Sequence, residues 1–146
     1  MRWSDFAARS PVLAGHGARL LAERHGYAYL ATTAADGSPR VHPVAPIRSH
    51  RGLFVAVRRG SPKLADLRHE PRLALHATVL APDDEEFALR GTAVEVAEAE
   101  RERAVAGATD GARLSPHLVL FEIDVTEASW ARWTDGTPTR ERWREG

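Results

Sequence analysis

The sequence predicts a mainly β protein of one domain, residues 1–146, built as a small antiparallel β-barrel of six to seven strands with peripheral helices. Its 146 residues suit a single domain, one that buries about 70% of the surface of the unfolded chain. With 43% hydrophobic and 27% charged residues, the composition is that of a globular protein. Short strand-like segments joined by short connections favour antiparallel pairing.

A helix is predicted before the barrel. Ser10 is a hydroxyl N-cap, and Pro11 suits the first helical position. Apolar residues then recur at helical spacing, which predicts a helix over about 11–25 that Gly26 closes. The barrel itself is predicted to occupy about 27–143.

A hairpin is predicted at the start of the barrel. Asp36-Gly37 separates two strand-like segments, 27–33 and 40–47, and Asp-Gly in that position is a strong hairpin signal. Pro43 and Pro46 lack a backbone N–H, so the second segment is predicted to be an edge or irregular strand.

The remaining elements follow the same logic of turn signals and alternation. A third strand ends at Val57, and Ser61-Pro62 begins a short helix that Pro71 ends. The later elements are a strand over 72–79, a turn at 82–84, a strand over 87–96 that bends at Gly91, an exposed helix over 98–106, a loop over 107–116, a strand over 118–125 and a hairpin over 130–143 that turns at Asp135-Gly136.

Composition excludes several classes of protein. Twenty basic residues balance 20 acidic ones, so the chain lacks the positive charge of a duplex-binding protein, and no nucleic-acid partner is expected. No apolar run approaches the ~20 residues of a membrane span, and the first residues lack the apolar core of a signal peptide. The absence of Cys excludes disulfides, thiolate zinc sites and cysteine nucleophiles. The expectation is a soluble cytoplasmic protein without a membrane partner.

Lys63 marks the best local candidate for a binding site. It is the single Lys beside 19 Arg, and it follows Ser61-Pro62 at a predicted helix start. Unpaired backbone N–H groups at such a start attract anions, a hydroxyl can add a hydrogen bond, and a Lys ammonium suits a phosphate. Ser61 and Lys63 therefore predict a phosphate site, against the alternative of an ordinary N-cap beside a solvated Lys.

The strand from Arg40 to Val44 is a second candidate. Alternation places Arg40 and His42 on one face and Val41 and Pro43 on the other. Arg40 would add a second positive charge to a phosphate, and the backbone beside Pro43 would meet the polar edge of a planar ring. The alternative is a polar strand face exposed to water.

Two of the seven histidines, His42 and His76, lie on predicted strands and are candidates for acid–base catalysis or for ligating haem. One hypothesis is that the two side chains meet in a pocket. The alternative is that each is a hydrogen-bonded structural histidine. No histidine pair has zinc-ligand spacing, so no metal site is predicted. The sequence also lacks the nucleophile elbow, the dinucleotide-binding glycines and the P-loop.

Taken together, these motifs resemble a known family. The string Asp36-Gly37-Ser38-Pro39-Arg40, followed by Ser61-Pro62-Lys63 after a strand, is similar to the pyridoxamine 5′-phosphate oxidase-like superfamily, and more narrowly to the small flavin- or deazaflavin-dependent oxidoreductases common in actinobacteria. The resemblance runs over about 27–96 and resumes weakly at 121–125 and 143–144.

The resemblance implies an FMN-binding split β-barrel, dimeric, with two cofactor sites between the subunits. The site residues that it implies form two groups. Ser61 and Lys63 would hold the FMN phosphate with Arg40 close by, and the isoalloxazine would be lined by Val41, His42, Pro43, Ala56 and Val57.

The sequence departs from the oxidase proper at two places. That enzyme has a second basic residue where this chain has Pro62, which gives Arg40 more importance here. It also holds its substrate with a C-terminal Arg-x-His segment, whereas residues 142–146 contain no His. Oxidation of a B6 vitamer is therefore not expected.

Three functions remain open. The first is an FMN-dependent oxidoreductase of unknown substrate, acting as a homodimer on a small molecule. The second is a reductase that uses the deazaflavin F420, whose acidic tail would need a further basic groove. The third is a non-catalytic flavin or haem binder, acting as carrier, store or sensor.

Overall fold

The computed structural model describes residues 1–22, 26–80, 82, 84–108 and 114–146. The helices are α1 (Trp3–Arg9), α2 (Pro11–Ala22), α3 (Pro62–His69) and α4 (Arg101–Val105), the last preceded by a 3₁₀ turn at Glu98–Glu100. The strands are β1 (Ala28–Thr33), β2 (Pro39–Val44), β3 (Ile47–Arg48), β4 (Leu53–Arg58), β5 (Arg72–Ala77), β6 (Glu85–Glu95), β7 (Leu118–Thr134) and β8 (Thr137–Arg144).

The strands form one antiparallel sheet that curves into a half-open barrel. The order of neighbours is β2-β1-β5-β6-β7-β4-β3, and β8 pairs with β7. The long strand β7 is the branch point of the sheet, because its residues 118–122 pair with β4 and 127–134 with β8, while 121–132 pair with β6. The predicted class, a mainly β antiparallel split barrel with a few helices, is confirmed. An eighth strand arises because the two residues of β3 also pair.

The two predicted Asp-Gly turns are found. Gly37 has φ 84° in the first hairpin, and Asp135 and Gly136 have φ 49° and 77° in the last. Both therefore use the left-handed conformation that makes Asp-Gly a hairpin signal. Strand β2 lies at the end of the sheet order, as its prolines predict.

Gly91 marks an irregularity between β6 and β7. The pairing register shifts between Arg90 and Gly91, and a Cβ at Gly91 would overlap the carbonyl oxygen of Asp124. The predicted bend is thus a close backbone approach that requires glycine.

The helices differ from prediction in two ways. Helix α1 was not expected, since Arg2 at its N-cap makes no side-chain capping bond, and its burial of Trp3 and Phe6 stabilises it instead. The segment 98–106 is not one exposed helix, because α4 buries Arg101 and Val105 against the barrel. The predicted end of α2 over 23–25, part of the 82–84 turn and half of the 107–116 loop lie outside the described residues.

The main core lies inside the barrel, under α1 and α2. It includes Phe6, Leu30, Phe87 and Phe121, each exposed by no more than 2%. A smaller second core joins Phe54 to α4. Within the described residues, no helix has the length and apolar character needed to cross a membrane.

Candidate functional site

Helix α3 supplies the first part of the site. Ser61 is its extended N-cap and Pro62 its first residue, as the sequence predicts. The Ser61 hydroxyl is buried, yet it makes no capping bond and has no hydrogen-bond partner within the described part of the chain. A buried hydroxyl without a partner is costly, so this oxygen is suited to a ligand.

A buried carboxylate, Asp66, lies one turn further along α3. It is only 4% exposed, and it accepts a 2.8 Å hydrogen bond from the Thr32 hydroxyl of β1. The Arg40 Nε of β2 lies 3.7 Å from the same Oδ2. Because Thr32 and Arg40 are directly paired across β1 and β2, both side chains reach α3 from one face of the sheet.

His42 completes this cluster. Its Nε2 lies 3.3 Å from Thr32 Oγ1. Burial lowers the pKa of His42, and the positive charges of Lys63 and Arg40 lower it further, while Asp66 opposes them. The structure thus brings Arg40, His42 and Lys63 together, and it favours the neutral imidazole.

The other predicted ring-lining residues lie in different environments. Val41 is 66% exposed on the opposite face of β2, and Pro43 is exposed on that face as well. Ala56 is partly buried beside the second core, whereas the Val57 side chain is fully buried in the main core. A contribution of Val57 to a ligand would therefore come from its backbone.

Val41 borders a broad open groove on the outer face of the sheet. The groove has a volume of about 820 Å³ and crosses β1, β5, β6, β7 and β8. Its exposed wall includes Tyr29, His76, Arg90 and Arg144.

The two candidate histidines do not share a pocket. His42 pairs with Leu30, which faces the core, whereas His76 pairs with Tyr29, which faces the groove. Directly paired residues share a face, so His42 and His76 lie on opposite faces of the sheet. The possibility that they meet is thereby ruled out, and each belongs to its own site.

Asp66 and Thr32 were not among the predicted site residues. Alternation in β1 places Thr32 on the inward face with Leu30, and Asp66 lies between the buried Leu64 and Leu67 of α3. These patterns indicate that both side chains face inward. They do not show that Thr32 and Asp66 form a hydrogen bond, because the two residues are 34 positions apart in the chain. Within the described residues, no group of three or more His, Asp or Glu side chains is placed to hold a metal ion.

Comparison with known proteins establishes the family. The family model described as pyridoxamine 5′-phosphate oxidase matches residues 17–130, which is most of the chain. The chain belongs to the pyridoxamine 5′-phosphate oxidase family. The resemblance found in the motifs is therefore confirmed, and the matched segment of this family contains the whole Arg40, His42, Ser61 and Lys63 cluster.

Solved structures share the fold of this oxidase-family chain at low identity. A heme binding protein from Mycobacterium smegmatis is 17% identical with a TM-score of 0.69, and the match covers 88% of this chain but only 57% of that one. PhzG from Burkholderia lata 383, solved with tetrahydrophenazine-1-carboxylic acid, is 14% identical with a TM-score of 0.62 and 92% of both chains covered. An F420 reductase is 20% identical with a TM-score of 0.57, covering 75% of this chain and 94% of its own. No curated protein matches the sequence.

Proposed function

We propose that this protein is an FMN-dependent oxidoreductase whose cofactor phosphate is held by Ser61, Lys63 and Arg40. The observation that carries the proposal is the buried Ser61 hydroxyl without a partner in the described structure, at the start of α3. Lys63 and Arg40 both lie close enough to His42 to lower its pKa, so the two cations flank one region. A hydroxyl donor and two cations fit a phosphate, and the α3 N-terminus adds backbone N–H groups.

The remaining site residues are assigned to the flavin ring. The backbone of edge strand β2 at Val41, His42 and Pro43 would line it, with Ala56 and the backbone of Val57 contributing from β4. Bound FMN would supply the hydride-transfer chemistry, and the chain's own task would be to anchor and orient it. The free backbone groups of the edge strand β2 suit the polar rim of such a ring.

The most direct test is the affinity of the cofactor-free protein for FMN. Replacing Lys63 by Ala should weaken binding by about ten- to a hundredfold, the effect of losing a charge-assisted contact worth about 1.5–3 kcal/mol. Ser61→Ala should weaken it less. Arg103→Ala, at an exposed position on α4, is the matched control and should bind as the parent does. Unchanged affinity in Lys63→Ala would contradict the site assignment.

We further propose that the protein acts as a homodimer formed through the sheet groove. The groove wall exposes Tyr29 by 48% and Val41 by 66%, and it carries charges of both signs, with Arg90 and Arg144 contacting Glu127. Such a surface can match itself across a two-fold axis. Light scattering should report a dimer for the parent protein and for the control Tyr27→Arg outside the groove, and a monomer for Tyr29→Arg. A dimeric Tyr29→Arg protein would argue against this interface.

The substrate is proposed to be a small molecule other than a B6 vitamer. The C-terminal strand β8 contains no Arg-x-His segment, and its Trp143 packs on Phe6 at 4.9 Å between ring centroids. The packing of Trp143 on Phe6 therefore holds β8, the strand that would carry such a segment, against the core. Pyridoxamine phosphate should not be oxidised by the FMN-loaded protein.

A haem-binding role is the second candidate, because His76 has the geometry of a metal ligand. Its Nδ1 lies 2.7 Å from the Ala77 carbonyl oxygen, which can only accept, so Nδ1 carries the proton. Nε2 lies at the groove, 3.7 Å from Glu86 Oε2, and in the neutral ring it carries the lone pair that a metal would need. A backbone carbonyl that fixes the tautomer in this way is common behind metal-bound histidines.

The absorption spectrum of the purified protein separates these possibilities. A two-band flavin spectrum that reductant bleaches supports FMN. A Soret band lost in His76→Ala but retained in His42→Ala supports haem. A colourless protein that binds F420 but not FMN supports the deazaflavin alternative, for which the F420 reductase is a structural neighbour.

A further inference from the structure

The hydrogen bonds around Thr32 determine where His42 carries its proton. A threonine hydroxyl has one hydrogen, and here it is donated to the buried Asp66 carboxylate at 2.8 Å. The 3.3 Å contact between Thr32 Oγ1 and His42 Nε2 must then be a hydrogen bond from Nε2–H to the hydroxyl oxygen. His42 therefore keeps a proton on Nε2, and only its Nδ1 can gain or lose one.

The Nδ1 atom makes no hydrogen bond within the described structure, although His42 is surrounded by charge. Arg40 lies two residues away on the same face of β2, a spacing of about 7 Å. Lys63 and Asp66 face His42 from α3, and Thr32 faces it from β1. Arg40 and Lys63 thus place two positive charges near the His42 ring, and protonation of Nδ1 would add a third.

We propose that His42 is a third, switchable cation of the anion site, taking up a solvent proton on Nδ1 when a phosphate or sulfate enters between Arg40 and Lys63, and donating that N–H to the anion. This inference rests on the proposed phosphate site. It also explains how the site can hold an anion without a basic residue at position 62, where the resemblance implies one and this chain has Pro62. The third charge is supplied from β2 instead, and it is present only while an anion balances it.

The direction of the coupling follows from the charges. In the free protein, burial and the two cations hold the pKa of His42 below its usual range, so the ring is neutral near pH 7. An anion bound between the cations offsets their charge and leaves Asp66 to favour the protonated ring. Linkage is reciprocal, so anion binding must tighten as the pH falls, by about tenfold per pH unit at most for one proton.

The histidine rings of the cofactor-free protein can be followed by nitrogen NMR between pH 5 and 8. Sulfate is the probe, because its own charge is constant over that range. Without sulfate, His42 should carry its proton on Nε2, and Thr32→Val should lose this preference. Saturating sulfate should raise the pKa of His42, and the affinity for sulfate should increase towards low pH. In His42→Gln that pH dependence should vanish, whereas the exposed-site control His117→Gln should keep it.

The outcomes separate this inference from the proposed function. Lys63-dependent sulfate binding with an unchanged His42 pKa would overturn the switch and leave the phosphate site intact. A proton found on Nδ1 in the free protein would overturn the assignment of the titrating nitrogen. Sulfate binding that ignores Lys63→Ala would overturn the phosphate site and the switch with it, whatever tautomer His42 adopts.

Discussion

Two buried carboxylates, Glu85 and Asp66, have similar exposure, 3% and 4%, and opposite surroundings. Glu85 at the start of β6 accepts hydrogen bonds from the Arg19 guanidinium of α2 and, at 2.8 Å, from the Trp130 indole of β7, and Arg132 lies 3.3 Å away. Asp66 accepts one bond from a neutral hydroxyl, and its nearest cation, Arg40, is 3.7 Å away.

The difference in surroundings indicates that the cluster around Glu85 stabilises the fold, whereas the cluster around Asp66 has polar groups available for a ligand. The donors around Glu85 join α2 to the sheet, and His16 of the same helix stacks on Trp130 with 4.0 Å between ring centroids. Around Asp66, the Ser61 hydroxyl and His42 Nδ1 lack partners within the described structure, and Lys63 forms no ion pair there. A cluster that holds the fold together uses its polar groups internally, whereas a cluster that binds a ligand leaves some available.

The sharpest test of this comparison is the stability of matched amide variants. Glu85→Gln should lower the free energy of unfolding by up to about 3 kcal/mol, because it removes the charge of a buried carboxylate that accepts hydrogen bonds from Arg19 and Trp130 and pairs with Arg132. Asp66→Asn keeps an acceptor for Thr32 and should cost much less. Urea unfolding measures both, with Glu86→Gln at an exposed position as control. An equal loss in the two variants would remove the distinction between the clusters.

Acid should affect the Glu85 cluster in a predictable direction. Burial raises the pKa of Glu85, but hydrogen bonds from Arg19, Trp130 and Arg132 outweigh burial and hold it at about 2. A carboxyl with a lowered pKa stabilises the fold above its unfolded value of 4.5, and that contribution is lost as the pH falls towards 2. The loss amounts to about 3 kcal/mol.

The measurement is the pH dependence of unfolding in the parent protein and in Glu85→Gln. The parent should lose stability steeply between pH 4.5 and 2.5, and the variant, already destabilised, should follow a flatter curve. Parallel curves would mean that other carboxyls account for acid unfolding. Glu70 is one such group, with a pKa that Arg72 lowers to about 2 at the protein surface.

The two clusters also show what could be predicted from the sequence. Ser61-Pro62 predicted the start of α3, and Asp-Gly predicted both hairpins, because these signals act over a few residues. The partners of Asp66 and Glu85 were not predicted, since their contacts span 34 and 66 positions. Helix α1 was missed because burial of Trp3 and Phe6, rather than a cap, stabilises it.

The strand pattern placed Arg40 and His42 on one face of β2, but it did not show which face of β5 carries His76. The face that carries His76 follows only from the pairing of β1 with both β2 and β5, which is a property of the folded sheet. Residue types and local spacing thus predicted both halves of the proposed anion site, Ser61 with Lys63 on α3 and Arg40 on β2, and the likeness to a family assigned them to the FMN phosphate. Asp66 and Thr32, which orient His42, became visible only in three dimensions.

The smallest expected effect is the stability of Lys63→Ala without ligand. Because Lys63 makes no ion pair within the described structure, its removal should change the free energy of unfolding by less than about 0.5 kcal/mol. Relief of repulsion from Arg40 would even make that change slightly stabilising. A ligand at a hundred times its dissociation constant adds about 2.7 kcal/mol to the parent, and Lys63→Ala should lose about half of this gain or more at the same ligand concentration. Thermal unfolding with and without FMN measures both quantities, and Arg103→Ala should keep the full gain. A large loss of stability in ligand-free Lys63→Ala would mean that Lys63, like Arg19 beside Glu85, is needed for the fold itself.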